Sequence, residues 1–268
     1  MYKLLISLSL ILTFCVAAQC KEIPDDNNVL MTVNEANLAE LEPGSIKLLL
    51  WNIYKGNNQN WDSDFIEISK DHDLLVLQET FLDSFMLGVF KDLPVFEFNM
   101  ATSWLDGKGI ETGVATASIV CPVSVNFQRS KYREPIADTP KMTLFTEYSL
   151  AGLTETLLVV NIHGINFVSA KKLEHMIKET VNVINKHSGP VVFAGDFNTW
   201  TNKKIKIMKT HLGEAGLAEV LFNPDTRTKV MGHFIDYVWV KDLSVNSSRV
   251  YSDLKSSDHK AISVDLSY

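Results

Sequence analysis

Residues 191–198 read VVFAGDFN, and this stretch decides the fold. A short apolar run that begins after Pro190 and ends at Gly195 predicts a buried strand. Asp196 and Asn198 would then leave the sheet at its carboxyl edge, where open α/β sheets usually place their ligands. A carboxylate and an amide two residues apart can hold a cation or a polarised water and hydrogen-bond an anion. The same pair also forms ordinary turns after strands, so the rest of the chain must decide between the two interpretations.

Apolar strands with polar ends recur along the chain. The sequence predicts further buried strands at Ile46–Ile53, Leu74–Glu79, Leu157–His163, Ile235–Val240 and Ala261–Leu266. The polar residues at or beside strand ends are Asn52, Glu79, His163, Asp196, Asn198, Asp236, Asp258 and His259. Each alone is more readily explained as a turn former or a packed side chain. Together they supply oxygen ligands for a hard cation, two imidazoles for proton transfer and amides for an oxyanion.

Helices are fewer than strands. The clearest is Ala170–His187, where apolar residues share one face and Lys and Glu the other. Shorter helices are predicted at Asp62–Lys70 and Phe81–Lys91. This excess of strands favours two packed sheets over one doubly wound sheet.

The composition bounds the class of protein. The chain has 268 residues, 46% of them hydrophobic, which suffices for a large α/β domain with a buried core. Its net charge of -7 excludes a global basic field that would attract nucleic acid or an anionic membrane. A metal ion and a local basic patch can still bind phosphate, so a nucleic-acid substrate stays open. No spacing of cysteines indicates a zinc site.

Residues 1–18 have the pattern of a secretory signal peptide. Lys3 is followed by an apolar run from Leu4 to Val16 and by small residues before Gln19. We therefore expect an exported protein, periplasmic or secreted. A retained membrane anchor is the alternative, although the run is short for a bilayer span. Residues 19–44 are polar and acidic, and we expect them to form a loosely held lead-in.

Two cysteines would stay in the chain after such a cleavage, Cys20 and Cys121. Lipidation of Cys20 is disfavoured, because Gln19 is a poor residue before a lipid-modified cysteine. An oxidising compartment would permit a disulfide between the two thiols.

Six short motifs in a fixed order carry a resemblance to a known family. They are Trp51-Asn52-Ile53, Gln78-Glu79-Thr80, Asn161-Ile162-His163, Gly195-Asp196-Phe197-Asn198, Ile235-Asp236-Tyr237-Val238 and Ser257-Asp258-His259. Over about residues 45–268, this order resembles the endonuclease/exonuclease/phosphatase superfamily, which includes deoxyribonuclease I. The likeness is greater to bacterial YafD-like members, which carry similar Trp-Asn-Ile-Tyr-Lys and Asn-Ile-His stretches. The resemblance implies one domain over 45–268, a deoxyribonuclease I-like four-layer α/β sandwich of two packed mixed β-sheets flanked by helices.

The resemblance also implies a metal site. Glu79, helped by Asn52, would bind Mg²⁺, and Mn²⁺ and Ca²⁺ are the alternative ions. Asp258 would lie in or near the same shell of ligands.

Catalytic roles follow from the same resemblance. His259 would act as general base on the attacking water or hold the phosphoryl oxygens, and Asp236 would orient a catalytic histidine. His163 would be the second imidazole. Asp196 would orient the water or a second cation, and Asn198 would hydrogen-bond the scissile phosphate.

These residues predict an exported, Mg²⁺-dependent hydrolase of phosphodiester bonds, most simply a nuclease of endonuclease type. It would act as a monomer on nucleic acid, without an obligate protein partner. Arg133, in the triplet Arg133-Glu134-Pro135, is similar to an arginine that contacts substrate phosphate in deoxyribonuclease I-like members, and its alternative is a solvated charged turn. Trp104 and Trp200 could stack on bases or enter a membrane, although core packing is the commoner role.

Two other functions stay open from the sequence. The first is a phosphodiesterase of the sphingomyelinase kind that acts on a lipid headgroup. The second is a non-catalytic binding protein that has kept the fold, and it is disfavoured because unpaired buried charges are costly to retain without use.

Overall fold

The computed structural model describes residues 21–268. The predicted signal peptide and Cys20 lie outside this range, so the predictions of cleavage, lipidation and disulfide pairing stay predictions. Cys121 is half-buried, with its Sγ 3.0 Å from the carbonyl oxygen of Ala36. Within residues 21–268 no helix combines the length and the apolar character needed to cross a membrane.

Strands dominate the chain, as the sequence predicts. In chain order they are β1 Leu30–Val33, β2 Glu40–Leu41, β3 Ile46–Asn52, β4 Leu74–Phe81, β5 Glu97–Leu105, β6 Glu111–Ser118, β7 Ser124–Arg129, β8 Met142–Leu150, β9 Thr156–His163, β10 Val191–Asp196, β11 Ala218–Glu219, β12 Lys229–Val230, β13 His233–Phe234, β14 Asp236–Lys241, β15 Ser244–Val250 and β16 Ile262–Ser267. The α-helices are α1 Trp61–Ser69, α2 Ser84–Lys91, α3 Ala170–Ile184 and α4 Asn202–Glu214.

The strands form two mixed sheets and one short hairpin. The first sheet has the spatial order β1-β5-β6-β4-β3-β16-β15. The second has the order β11-β14-β10-β9-β8-β2, and β7 also pairs with β8. Parallel pairs lie at the centre of each sheet, β3 with β4 in the first and β9 with β10 in the second. The hairpin joins β12 to β13.

Three layers of apolar side chains separate four layers of backbone. One cluster lies between α1, α2 and the outer face of the first sheet, and another lies between the second sheet and the pair α3 and α4. The third fills the space between the sheets. The predicted four-layer α/β sandwich of two packed mixed sheets is confirmed.

Alternation along the central strands decides which side chains face the other sheet. Leu48 and Leu50 of β3 lie in the cluster between the sheets, whereas Leu49 and Trp51 lie in the cluster under α1 and α2. Because side chains alternate along a strand, Asn52 continues the inward series. The same count holds on β10, where Val192 and Ala194 point inward ahead of Asp196. Both polar strand ends therefore face the gap between the sheets.

One buried amide joins the two sheets beneath these ends. The side chain of Asn161, on β9, is fully buried, and its Nδ2 donates to the backbone oxygens of Leu77 (3.1 Å) and Ala115 (2.9 Å) in the first sheet. Its Oδ1 accepts a 2.8 Å bond from Nε2 of Gln78, on β4. A buried amide keeps its place at no large cost only when its bonds are made. These bonds consequently specify how the sheets stack.

A glycine sets the close approach of β9 and β10. A Cβ built on Gly195 would collide with the carbonyl oxygen of Ile162 on the neighbouring strand, and φ of Gly195 is +150°. The sequence predicts a turn at this glycine, but the strand runs on to Asp196. Gly195 therefore allows β9 and β10 to pack at this distance. Any other residue type here would force the backbone to shift.

The described part of the lead-in, residues 21–44, is held more firmly than expected. β1 pairs with β5 in the first sheet, and β2 pairs with β8 in the second. Glu97 is buried and accepts bonds from Nδ2 of Asn99 (3.0 Å) and the backbone nitrogen of Ala36 (3.4 Å). The polar composition of the segment hid these pairings.

Helix α4 and strand β15 are among the elements that were not predicted, and α3 is shorter than expected. α4 has few apolar residues and begins at an N-cap, where Oγ1 of Thr201 accepts from the nitrogen of Lys204. β15 is an exposed edge strand of mainly polar residues, so it lacks an alternating pattern. α3 ends at Ile184, and His187 beyond it binds the carbonyl oxygen of Thr156 at 2.8 Å.

Candidate active site

A row of polar side chains crosses the edge of the second sheet. The register pairs Asp196 of β10 with His163 of β9 on one side and with Asp236 of β14 on the other. All three are buried, with at most 5% of their surface exposed. The three predicted site residues of this sheet are therefore brought together by strand pairing alone.

The first sheet contributes a second set of polar groups. β3 and β4 are parallel, and Asn52 at the end of β3 pairs with Gln78 of β4. The register of β4 against β6 shifts between Gln78 and Thr80, and Glu79 has a φ of +56°. A bulge of this kind turns a side chain away from the regular strand direction. Glu79 is half-buried and lines a cavity at the sheet edge together with His163.

Asn52 bridges the two sheets at this edge. Its Nδ2 donates to Oε1 of Glu79 (3.3 Å) and to Oδ2 of Asp196 (3.2 Å), and its Oδ1 accepts from the nitrogen of Tyr54 (3.2 Å). An amide with two donors suits this position, since it can hold two carboxylates that would otherwise repel each other. Asn52 is thus a positioning residue for Glu79, while its role as a metal ligand stays a prediction.

Asp236 and His259 form a hydrogen-bonded pair. The imidazole Nδ1 lies 3.0 and 2.9 Å from the two carboxylate oxygens, which fixes the ring and directs Nε2 towards Asp196, at 4.0 Å from its Oδ2. The loop that carries His259 is tied to β3. Trp51 Nε1 donates to the carbonyl oxygen of His259 (3.0 Å), and Ser257 Oγ donates to that of Asn52 (2.7 Å).

Asp196 is the point on which the other polar groups converge. Its Oδ1 accepts from the backbone nitrogen of Asn198 (2.9 Å), and its Oδ2 lies 3.6 Å from Nε2 of His163. Asn198 has a φ of +51°, and its Nδ2 donates to the oxygen of Gly164 (3.0 Å) and to Oδ2 of Asp196 (3.3 Å). The predicted bond from Asn198 to substrate phosphate would have to replace one of these.

The charges of the site shift its proton equilibria. Burial would lower the pKa of His259, but the charge and hydrogen bond of Asp236 and the charges of Asp196 and Asp258 outweigh it and raise that pKa to about 10. Burial is the main reason why the pKa of Asp196 is raised, and the charges of Asp236 and Glu79 add to it. In the metal-free protein His259 is therefore a cation among carboxylates.

His163 has the opposite character. Burial lowers the pKa of His163 well below its usual value, and the positive charges of Lys141, His259 and Lys55 lower it further. A neutral imidazole can donate one hydrogen bond and accept another. The two histidines of the site thus differ in charge state, which suits them to different tasks at one substrate.

A divalent cation fits the balance of charge. The negative charges of Asp236, Asp196 and Asp258 act on His259, and that of Glu79 acts on Asp196. The pKa of Asp258 is raised by partial loss of water and by the charge of Glu79, a sign of carboxylates that repel each other. Atoms of Asp196, Asp236 and His259 lie within 4.8 Å of one another and could also hold a metal, but Asp236 and His259 are already bonded to each other. Carboxylates with free oxygen atoms are the ligands that hard cations prefer.

Asp258, next to His259 in the chain, is exposed and accepts from Ser257 Oγ at 3.4 Å, whereas the predicted site residue Arg133 lies apart from this group. Arg133 is exposed, and its Nη1 pairs with Oδ2 of Asp138 at 3.3 Å. The cavity that contains Glu79 and His163 measures about 390 Å³ and is lined by the lysines Lys21, Lys55 and Lys141 instead. Arg133 thus matches the solvated charged turn that is its alternative interpretation.

Arg227 is a supporting residue that the sequence did not reveal. Its buried guanidinium donates to the carbonyl oxygen of Asp236 (3.0 Å) and to Oδ2 of Asp225 (2.8 Å). Next to it, Lys260 Nζ donates to the carbonyl oxygen of Thr226 at 2.7 Å. This loop braces the chain at both Asp236 and His259. No sequence pattern predicts such a brace, because it acts on Asp236 and Thr226 through their backbone carbonyl oxygens.

The two tryptophans have different surroundings. Trp104 lines the cavity, with Nζ of Lys21 and Lys55 at 4.7 and 5.3 Å from its ring centre. Trp200 donates a 2.7 Å bond from Nε1 to Oδ1 of Asn166, and Lys204 lies 4.6 Å from its ring. Neither is a core residue, since both are partly exposed.

Comparison with known proteins places this site in a family context. The model of the endonuclease/exonuclease/phosphatase family matches residues 49–259, a range that contains every predicted site residue from Asn52 to His259. A UPF0294 protein of Vibrio parahaemolyticus is 35% identical over 231 residues, which cover 83% of this chain and 78% of the relative.

Solved structures agree on the fold. An endonuclease/exonuclease/phosphatase protein of Beutenbergia cavernae has a TM-score of 0.66 at 18% identity, over 84% of this chain and 72% of that one. A mannosyl-6-phosphatase of Bacteroides thetaiotaomicron has a TM-score of 0.63 at 15% identity, over 83% of this chain and 100% of that one.

Replacement of Asn52 by aspartate tests the bridge. The variant Asn52→Asp loses two donors and adds a carboxylate between Glu79 and Asp196, so we expect it to be less stable by about 2–3 kcal/mol in EDTA. A millimolar divalent cation should restore part of the loss, since it neutralises the added charge. Thermal and urea unfolding with and without the cation measure both effects.

The matched control is Asn182→Asp, which makes the same change at an exposed position of α3. Its stability should change by less than about 0.5 kcal/mol, with no response to the cation. Equal stability of Asn52→Asp and the wild type in EDTA would contradict the bridge.

Proposed function

Because the chain belongs to the endonuclease/exonuclease/phosphatase family, whose members are generally hydrolytic phosphoesterases, we propose that it hydrolyses phosphodiester bonds with the help of Mg²⁺. The observation that carries the proposal is the Asp236–His259 pair at 2.9 Å, which faces Asp196, the carboxylate that Asn52 joins to Glu79. A divalent cation held by Glu79 and Asp258 would neutralise charge that develops on the phosphoryl group.

The residues of the chain would then divide the work. Asp236 holds His259 in one orientation, so that the protonated Nε2 can donate to a phosphoryl oxygen. Where a bound divalent cation lowers the pKa of His259, the neutral imidazole could instead receive the proton of the attacking water. Neutral His163 can donate a hydrogen bond to the substrate from the opposite side of Asp196. Asp196, which both histidines approach, orients the water.

Nucleic acid is the substrate that we propose first. The site is an open edge between two sheets. The protein as a whole has a net charge of -7, but the lysines beside the site supply local positive charge that can attract a phosphate backbone. We further propose that the protein acts as a monomer, since each group of the site comes from one chain.

A lipid headgroup is the second candidate, and one observation favours it. The β12–β13 hairpin ends immediately before Asp236 and presents Met231 with 78% of its surface exposed, and Ile136 on another loop is 87% exposed. Exposed apolar side chains at loop tips can enter a membrane interface. Hydrolysis of sphingomyelin vesicles without cleavage of DNA or RNA would favour this candidate over the first.

Export is a separate proposal, supported by the pattern of residues 1–18. Signal peptidase would cut after Ala18 and leave Gln19 as the first residue. Mass spectrometry of the amino-terminal peptide, from protein expressed in cells able to export it, measures this. A terminus at Met1 or a lipid on Cys20 would contradict the proposal.

Hydrolysis should depend on a divalent cation and on Glu79. Purified protein assayed with plasmid DNA, RNA, sphingomyelin and bis-p-nitrophenyl phosphate should cleave at least one of them in Mg²⁺ and none in EDTA. Glu79→Gln should lower kcat/KM at least about a hundredfold, because the charge that faces the cation is lost. Glu67→Gln, a surface change on α1, is the control. Full activity of Glu79→Gln would remove this residue from the site.

Both histidines should be needed for turnover. His259→Ala should abolish detectable hydrolysis of the soluble diester, and His163→Ala should cost at least about a hundredfold in kcat, the usual contribution of a proton-transfer residue. The double variant should be no worse than His259→Ala, since both groups serve one transition state. Steady-state kinetics decide this, with His175→Ala on α3 as control. Near-normal turnover of His163→Ala beside an inactive His259→Ala would mean that one histidine suffices.

A further inference from the structure

A cavity with cationic walls opens beside the candidate active site. It measures about 390 Å³, and Glu79 and His163 form the part that it shares with the site. Lys55, Lys141 and Trp104 line the cavity as well. This volume is in the range of pockets for small ligands and is too small for a nucleic-acid duplex. It can accept one compact unit of a substrate whose reacting group lies at Glu79.

The backbone that presents Lys55 is held in an uncommon conformation. Tyr54, Lys55 and Gly56 have successive φ values of +48°, +57° and +66°. Such values are unfavourable for residues other than glycine, and they persist where the surrounding structure enforces them. Here the nitrogen of Tyr54 bonds to Oδ1 of Asn52, and that of Gly56 bonds to the oxygen of Ile53 at 2.9 Å. The turn is thus fixed to the same asparagine that positions Glu79.

The ammonium group of Lys55 has aromatic rings as its neighbours. A lysine with a structural role usually pairs with a carboxylate instead. Its Nζ lies 5.3 Å from the ring centre of Trp104 and 5.9 Å from that of Phe81. Lys141, across the cavity, has its Nζ 3.6 Å from Oε1 of Glu134, a carboxylate that also accepts from a backbone nitrogen. In the part of the chain that the structure describes, Lys55 makes no ion pair within 4 Å with an acidic side chain. Its charge is therefore available to an anion that enters the cavity.

We propose that Lys55, with Trp104 and Lys141, forms a subsite for a second phosphate of the substrate. The preferred substrate is then a nucleotide-sized phosphodiester that carries a terminal phosphate next to the bond that is cut, at the end of an unpaired strand. This inference rests on the proposed phosphodiester hydrolysis and adds the substrate class. Lys21, whose Nζ lies 4.7 Å from the ring centre of Trp104, can add a further charge.

Two dinucleotides isolate the effect of the second phosphate. Thymidylyl-thymidine (TpT) and its 5′-phosphorylated form (pTpT) contain the same diester bond and differ only in the terminal phosphate. The wild type should have a kcat/KM for pTpT at least tenfold above that for TpT. Methionine has an unbranched side chain of similar length and must adopt the same backbone conformation as lysine, but it has no charge. In Lys55→Met this ratio should therefore fall to within twofold of one.

The control Lys108→Met removes an equal charge from the exposed turn after β5, outside the cavity lining. It should keep the wild-type ratio. A ratio near one in the wild type, or an equal fall in both variants, would overturn the subsite. Far-ultraviolet circular dichroism and thermal unfolding verify that each variant is folded.

A binding measurement separates failure of the subsite from failure of the proposed function. Calorimetry in EDTA compares thymidine 3′,5′-bisphosphate with thymidine 3′-monophosphate, which lacks only the 5′-phosphate. The bisphosphate should bind at least tenfold more tightly to the wild type and lose this advantage in Lys55→Met. Equal affinities would overturn the subsite even if diesters are hydrolysed. Tighter binding of the bisphosphate without hydrolysis of either dinucleotide would support the subsite and overturn the nuclease function.

Discussion

The bonds of one buried amide govern how the two halves of this molecule meet. Asn161 reaches from β9 to the backbone of the first sheet and to Gln78, in an interface that is mainly apolar. Apolar contacts alone would let the sheets slide past each other with little change in buried area, whereas unmade amide bonds cost free energy at once. The stacking of the sheets is thereby specified, and with it the distance between Asn52 and Asp196 above.

On this scaffold the site concentrates charge that the fold must tolerate. Four carboxylates lie near one another at the sheet edges. Hydrogen bonds with Asn52, His259 and the backbone of Asn198 offset part of their negative charge. The compensation is incomplete, since the pKa values of Asp196 and Asp258 are both raised. An arrangement of this kind is less stable than an apolar one and is retained where the charges have a use.

The sequence anticipated those residues whose position follows from strand periodicity. Asn52, His163, Asp196 and Asp236 continue the inward alternation of apolar strands, so that counting along each strand is enough to bring them to one edge. Other features depend on contacts distant in the chain. The bulge at Glu79, the backbone of Lys55 and the brace at Arg227 have no local pattern. The lead-in was misjudged for a related reason, because its two short strands are stabilised by partners in both sheets.

The position of β16 in the first sheet bears on how the protein is made. This strand follows the other described strands along the chain, yet it lies between β3 and β15, and the loop before it carries His259. Synthesis proceeds at about 5–20 residues per second, so the edge of β3 that pairs with β16 stays unpaired until β16 has been made. An open apolar edge is a template for pairing with other chains. The nascent protein therefore passes through a period of exposure to aggregation, and that period ends at the step that completes the site.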